Sequence, residues 1–142
     1  MEQLYKYRSL IQEIPTIRKD LTTLQSLWLI PDSEMRQIRL IIEEIFSNVI
    51  RYAFSDSQEH FVQVQLKKVN DEITIQITDD GIPFNPLEYN QGATNDPASS
   101  VDGGMGLTLI KTFSNSISYE RIDSNNQLLI TKKIKSNSPS GL

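Results

Sequence analysis

The chain has 142 residues, 18 Asp and Glu against 14 Lys and Arg for a formal net charge of −4, one histidine, no cysteine and 38% hydrophobic residues, the profile of one domain with a single core. The lack of cysteine excludes a disulfide framework, a thiolate zinc site and a cysteine nucleophile, and a lone His60 excludes a histidine metal cluster. Net negative charge argues against duplex nucleic acid as the main partner, because that affinity rests on Lys and Arg neutralising phosphates.

An apolar and aromatic start, Leu4 to Leu10, predicts a strand, and the opening residues lack the basic start and apolar run of a signal peptide. No stretch approaches the ~18 apolar residues of a membrane span, so the expected location is cytoplasmic, with no membrane partner. Ile17, Leu21, Leu24 and Trp28 recur at helical spacing and predict a helix from Ile14 to Trp28, with Trp28 in the core. After Pro31, Asp32 or Ser33 is the expected N-cap of a second helix, whose apolar stripe is Ile38, Ile41, Ile42, Ile45, Val49 and Tyr52. His60 is expected at the surface or a sheet edge. Phe61, Val62, Val64 and Leu66, then Ile73, Ile75 and Ile77, alternate with polar residues and predict a hairpin turning at Val69-Asn70-Asp71-Glu72, with one wet face.

From Ile82 to Gly103 periodicity stops. Five of the six glycines and three of the six prolines fall between positions 81 and 106, and a connection this long is expected to be a lid. From Val69 to Ile110 there is no Lys or Arg, so that stretch carries −7 and the remainder +3. A short helix from Met105 to Phe113 follows, then strands Ser116 to Arg121 and Gln127 to Ile134 around an Asp123-Ser124-Asn125-Asn126 turn, and a polar, flexible tail at 136–142. The order predicts an α+β fold: a two-layer α/β sandwich with helices on one face of a mostly antiparallel, mixed sheet.

Three places can carry chemistry. Glu44 and Asn48 lie one turn apart on one face of the second helix, where a carboxylate and an amide can share a ligand, or where they form a solvated face. Neighbouring Glu43 is expected at the surface. Asp79 continues the inward set Ile73, Ile75, Ile77 by period two, so it should face the core and need a partner, whereas Asp80-Gly81 is explained by an ordinary turn. Gly103-Gly104-Met105-Gly106-Leu107 opens a helix with backbone N–H groups free for an anion, phosphate above all, or serves only as a hinge. It lacks the Gly-Lys-Ser/Thr ending of a P-loop. Without local basic residues, phosphates there would depend on backbone donors, a divalent metal and charge from elsewhere in the fold.

In this order, Glu44-x-x-x-Asn48, Asp79-x-Gly81 and Gly104-x-Gly106-Leu107 resemble the N, G1 and G2 boxes of the GHKL ATPase superfamily. The stretches EEIFSNVIRYAF, ITDDGIPFNP and GGMGLTLIKTFSNSISYE are similar to the anti-sigma factor serine/threonine-protein kinase branch, over about Tyr5 to Lys133. The resemblance implies a single histidine-kinase-like ATPase domain over 1–142 with the Bergerat fold, binding ATP and Mg2+, with 82–103 as the ATP lid. It assigns Asn48 to the magnesium ion, Asp79 to the adenine amino group, Gly81 to close approach of the base, Gly104, Met105, Gly106 and Leu107 to the phosphates, and Glu44 to general base. The implied reaction phosphorylates a serine on a small anti-sigma-factor antagonist, with a sigma factor or other regulator as further partner and a homodimer as the assembly. Two positions depart from the pattern: Arg51 where the family often has His, and Gln127 near where larger members carry an adenine-supporting Thr. The alternative is an ATP-gated protein-binding regulator without phosphoryl transfer. A histidine kinase would need a phosphoacceptor helix hairpin, and a gyrase-type ATPase a transducer domain.

Overall fold

Apolar side chains at period two on strands and at period 3.6 on helices meet in one shared layer between a sheet and its helices. The structure is a computed structural model and describes residues 1–54, 56, 58–88 and 107–134. Strand β1 is Glu2–Arg8, and after a 3-10 turn at Ile11–Glu13 come helices α1, Ile14–Trp28, and α2, Asp32–Tyr52. Strands β2, Phe61–Val69, and β3, Glu72–Asp79, form a hairpin; helix α3 occupies 107–113, and β4, Ser116–Ile122, and β5, Asn125–Lys133, close the chain. The five strands run in the order β1-β2-β3-β5-β4.

Every pairing in this sheet is antiparallel, which resolves the expected mixed sheet into a fully antiparallel one. β2–β3 and β4–β5 are antiparallel as hairpins. Because two helices separate β1 from β2, the chain re-enters the sheet at the end it left. The α+β sandwich with helices on one face stands as expected.

The helix α1 has the expected bounds, and its stripe Ile17, Leu21, Leu24 and Trp28 is buried. It ends where Leu29 takes a left-handed conformation, φ 54, and caps with its N–H on Gln25 O. The α2 stripe buries Met35, Ile38, Ile41, Ile42, Ile45, Phe46 and Val49 against the sheet. Its N-cap is Pro31, not Asp32 or Ser33, and no side chain caps it. Asp32 is instead held by Gln25 Nε2 at 2.5 Å, and with Glu34 places acidic charge at the positive helix end. Glu43 is not a free surface group either: half-buried, it accepts from Arg18 at 2.8 and 3.1 Å, tying α1 to α2.

The strand β1 starts and stops two residues earlier than predicted. Arg8 is the last residue paired with β2, and Leu10 turns its N–H back to Arg8 O to enter the 3-10 turn. Tyr7, buried on the core side, donates to Asp20 of α1 at 2.7 Å, and burial pushes its hydroxyl pKa up. The β4–β5 turn is Asp123-Ser124 alone, both at positive φ (49 and 67) as a two-residue hairpin demands, so Asn125 and Asn126 belong to β5. Buried Lys132 donates to Gln37 of α2 and to the Phe113 carbonyl at the end of α3 (3.0 Å), joining both helices to β5.

Candidate functional site

Periodicity alone brings Asp79 inward: on β3 it follows Ile73, Ile75 and Ile77 and is 4% exposed. Its Oδ1 accepts two hydrogen bonds, from Gly81 N at 2.8 Å and from Asn126 Nδ2 at 2.9 Å. Burial pushes the carboxyl pKa up; the bonds from Asn126 and Gly81 and the Arg121 charge pull against that rise, and Asp80 adds to it. The partner that Asp79 requires is therefore Asn126, its register neighbour on β5. Sequence reasoning missed Asn126 by placing it in a turn, although period two backward from Ile130 and Leu128 reaches it.

A narrow pocket of about 10 Å³ between α2 and the sheet is lined by Ile45, Val49, Ile77, Phe84, Tyr119 and Leu128, with Asp79 and Asn126 as its polar residues. Glu44 and Asn48 sit half-buried one turn apart on the α2 segment that supplies Ile45 and Val49. Gly104, Met105 and Gly106 lie outside the described residues. Leu107, the next residue, is half-buried, and Ile110 one turn on joins the core.

Gly81 is required for a reason internal to the chain. A Cβ there would lie 2.4 Å from Ala53 O, at the end of α2, and the neighbouring Ile82 N–H bonds that same carbonyl at 2.9 Å. Arg121 closes the other side, donating to Gly81 O at 2.7 Å and Asn126 Oδ1 at 3.1 Å.

His60 lies partly exposed immediately before β2, and it has partners there. Its ring stacks on Phe54 at 4.5 Å, with Nε2 2.6 Å from Asp56 Oδ1 and Nδ1 3.2 Å from Asp80 Oδ1. The bond to Asp56 raises the imidazole pKa most, with Asp80 adding to it against desolvation. Of the two departures from the family pattern, Arg51 is exposed in the last turn of α2, its guanidinium 5.7 Å from the Tyr52 ring. Gln127 alternates out of the core side; Asn126, not Gln127, is the residue beside Asp79.

The model of the histidine kinase-like ATPase domain matches residues 7–132. The chain belongs to the histidine kinase-like ATPase domain family. This ATPase domain is 29% identical over 99 residues to the serine/threonine-protein kinase BtrW of Bordetella bronchiseptica, spanning 66% of this chain and 67% of that protein. It is 28% identical over 107 residues to an anti-sigma F factor of Clostridium novyi, spanning 72% of this chain and 73% of that protein. Among solved structures, the blue-light activated histidine kinase of Erythrobacter litoralis EL346 shares the fold, with a TM-score of 0.55 at 17% identity over 80% of this chain. The chain spans 34% of that kinase's length. Membership of an ATPase domain family implies ATP binding, and the similarities support an anti-sigma type of kinase. Among the described residues, no helix of the ATPase domain is long and apolar enough to cross a membrane.

Proposed function

We propose that this chain is an ATP- and Mg2+-dependent serine/threonine protein kinase that regulates by binding and by phosphorylating a small anti-sigma-factor antagonist. The observation that carries the reading is the buried, ionisable Asp79 in an otherwise largely apolar pocket, an acceptor suited to an adenine amino group. Asp79 and Gly81 would meet the base, and Gly104, Met105, Gly106 and Leu107 the phosphates, with 82–103 folding over as lid. At about 10 Å³ the pocket has room for one water, so a purine would enter only as the pocket widens.

Asn48 offers an amide oxygen for Mg2+, and among the described residues no three acidic or histidine side chains gather for a metal. A hard ion satisfied mainly by phosphate oxygens and water fits that donor set, and when bound it would neutralise charge on the phosphates. Glu44, one turn from Asn48, would take the proton of the substrate serine as its oxygen bonds to the γ-phosphorus, while the bond to the β–γ bridging oxygen breaks and ADP leaves. The anti-sigma F factor among the relatives supports a regulator working through a sigma factor or a comparable partner; we further propose that it works in the cytoplasm and as a homodimer.

The test is transfer of label from γ-labelled ATP to serine of the small partner recovered with the protein. Wild type should label it, and Glu44→Ala should lower the rate at least ~100-fold, the usual scale of general-base loss, while still binding ATP. Binding of ATP and partner with no labelling by wild type would replace this reading with an ATP-gated binding regulator.

A further inference from the structure

Asn126 spends its whole hydrogen-bonding capacity on the wall of the pocket. Its Nδ2 donates to Asp79 Oδ1 at 2.9 Å and to Ile82 O at 2.8 Å, which uses both N–H groups. Its Oδ1 accepts from Phe84 N at 3.1 Å, Arg121 Nη1 at 3.1 Å and the Tyr119 hydroxyl at 2.5 Å. The partners dictate the amide's orientation. A flipped amide would set oxygen against a carboxylate and a carbonyl, which only accept, and nitrogen against an amide and a guanidinium, which only donate.

Asp79 Oδ1 is thereby filled by two donors, and among the described residues no hydrogen bond engages Oδ2. An ionised Oδ2 can only accept; a protonated one would donate. We propose that Asn126 is a positioning residue that sets nucleobase specificity: by donating to Oδ1 it holds Asp79 as a pure acceptor, so that the pocket takes a base edge bearing an exocyclic amino group and rejects one presenting a carbonyl there. This rests on the nucleotide reading of the site. The charged groups beside the Asp79 carboxyl are Asp80, which opposes ionisation, and Arg121, which favours it through space and is itself held by Asn126 Oδ1. Removing the amide donor withdraws one of the supports of ionisation in a buried site where desolvation favours the proton. The same amide pins Ile82 O and Phe84 N at the root of the 82–103 segment, so the reading of the base and the start of the proposed lid share one side chain.

The experiment compares Mg-ATP with Mg-ITP, whose base carries a carbonyl in place of the amino group, by calorimetric titration of full-length wild type, N126D and N126L. Wild type should prefer ATP, and both variants should lower the ATP-to-ITP preference by about tenfold or more, the scale of one lost buried hydrogen bond. In parallel, carbon NMR of the Asp79 carboxyl in nucleotide-free N126L should show a titration midpoint above that of wild type; this measurement stands if N126D does not fold. Equal weakening of ATP and ITP with an unmoved Asp79 midpoint would make Asn126 merely structural and overturn the proposal. Wild type that binds ATP and ITP alike overturns it too, while leaving ATP binding intact. Wild type that binds neither nucleotide removes the nucleotide reading itself, and this proposal with it.

Discussion

Burial of Asp79 favours its protonated form, so ionising this carboxyl costs more in the folded chain than in the unfolded one, which solvates it better. A folded pKa above the unfolded one contributes stability present below about pH 3.9 and lost as pH rises through the folded value. A neutral amide at the same place avoids that loss while keeping an oxygen for Gly81 N and Asn126 Nδ2. Asp79→Asn should therefore melt at or above wild type at pH 7 without nucleotide and lose the response to ATP, measured by thermal denaturation with and without Mg-ATP. His60 has a raised pKa from the Asp56 bond, and its sign is the same. Its stabilising contribution is complete below about pH 6.5 and fades as pH rises through the raised folded value. Melting temperatures across pH 6 to 9 should fall more steeply for wild type than for His60→Gln; parallel curves would remove His60 from the pH response. Both residues show what sequence can reveal one at a time. Asp79 was legible because three isoleucines at period two point to it. Its partner was hidden because Asp123, Ser124, Asn125 and Asn126 are all turn formers, and only the two-residue hairpin assigns Asn126 to the strand. The partners of His60 were opaque because neither Asp56, four residues back, nor Asp80, brought up from the end of β3 by tertiary approach, is marked by a helix or strand period.

Between elements, the contact that matters most to the site joins the end of α2 to the turn after β3. Gly81 packs on the Ala53 backbone, and a methyl group 2.4 Å from Ala53 O and 2.9 Å from its carbonyl carbon meets atoms that cannot rotate away. Gly81→Ala should lower unfolding free energy by about 1–3 kcal/mol in urea titration, with or without nucleotide. Loss of ATP binding in that variant would then report a moved turn as much as a blocked base, and an undisturbed stability would show that the turn adapts. Helix stripes and strand alternation placed α1, α2, β2 and β3 because burial on one face writes a period into the sequence. Ends were less legible: Pro31 rather than Asp32 caps α2 because Asp32 is drawn to Gln25, a contact between helices that no local pattern encodes.

Across the whole molecule, the −7 segment from Val69 to Ile110 runs through β3 and the proposed lid, and the β4 residue Arg121 brings a positive charge to it from outside. That arrangement suits a site whose phosphates are held by backbone N–H groups and a metal rather than by a local basic cluster. The fold class and family were legible because three short motifs keep their order along one two-layer domain, and the family match over residues 7–132 agrees. The most direct measurement of the account is thermal denaturation of the full chain with millimolar Mg-ATP. Wild type should shift upward on the order of 5–10 °C, as expected for ligand at about a hundredfold over its Kd, and Asn48→Ala should shift little or not at all. No shift for wild type at millimolar Mg-ATP would contradict it.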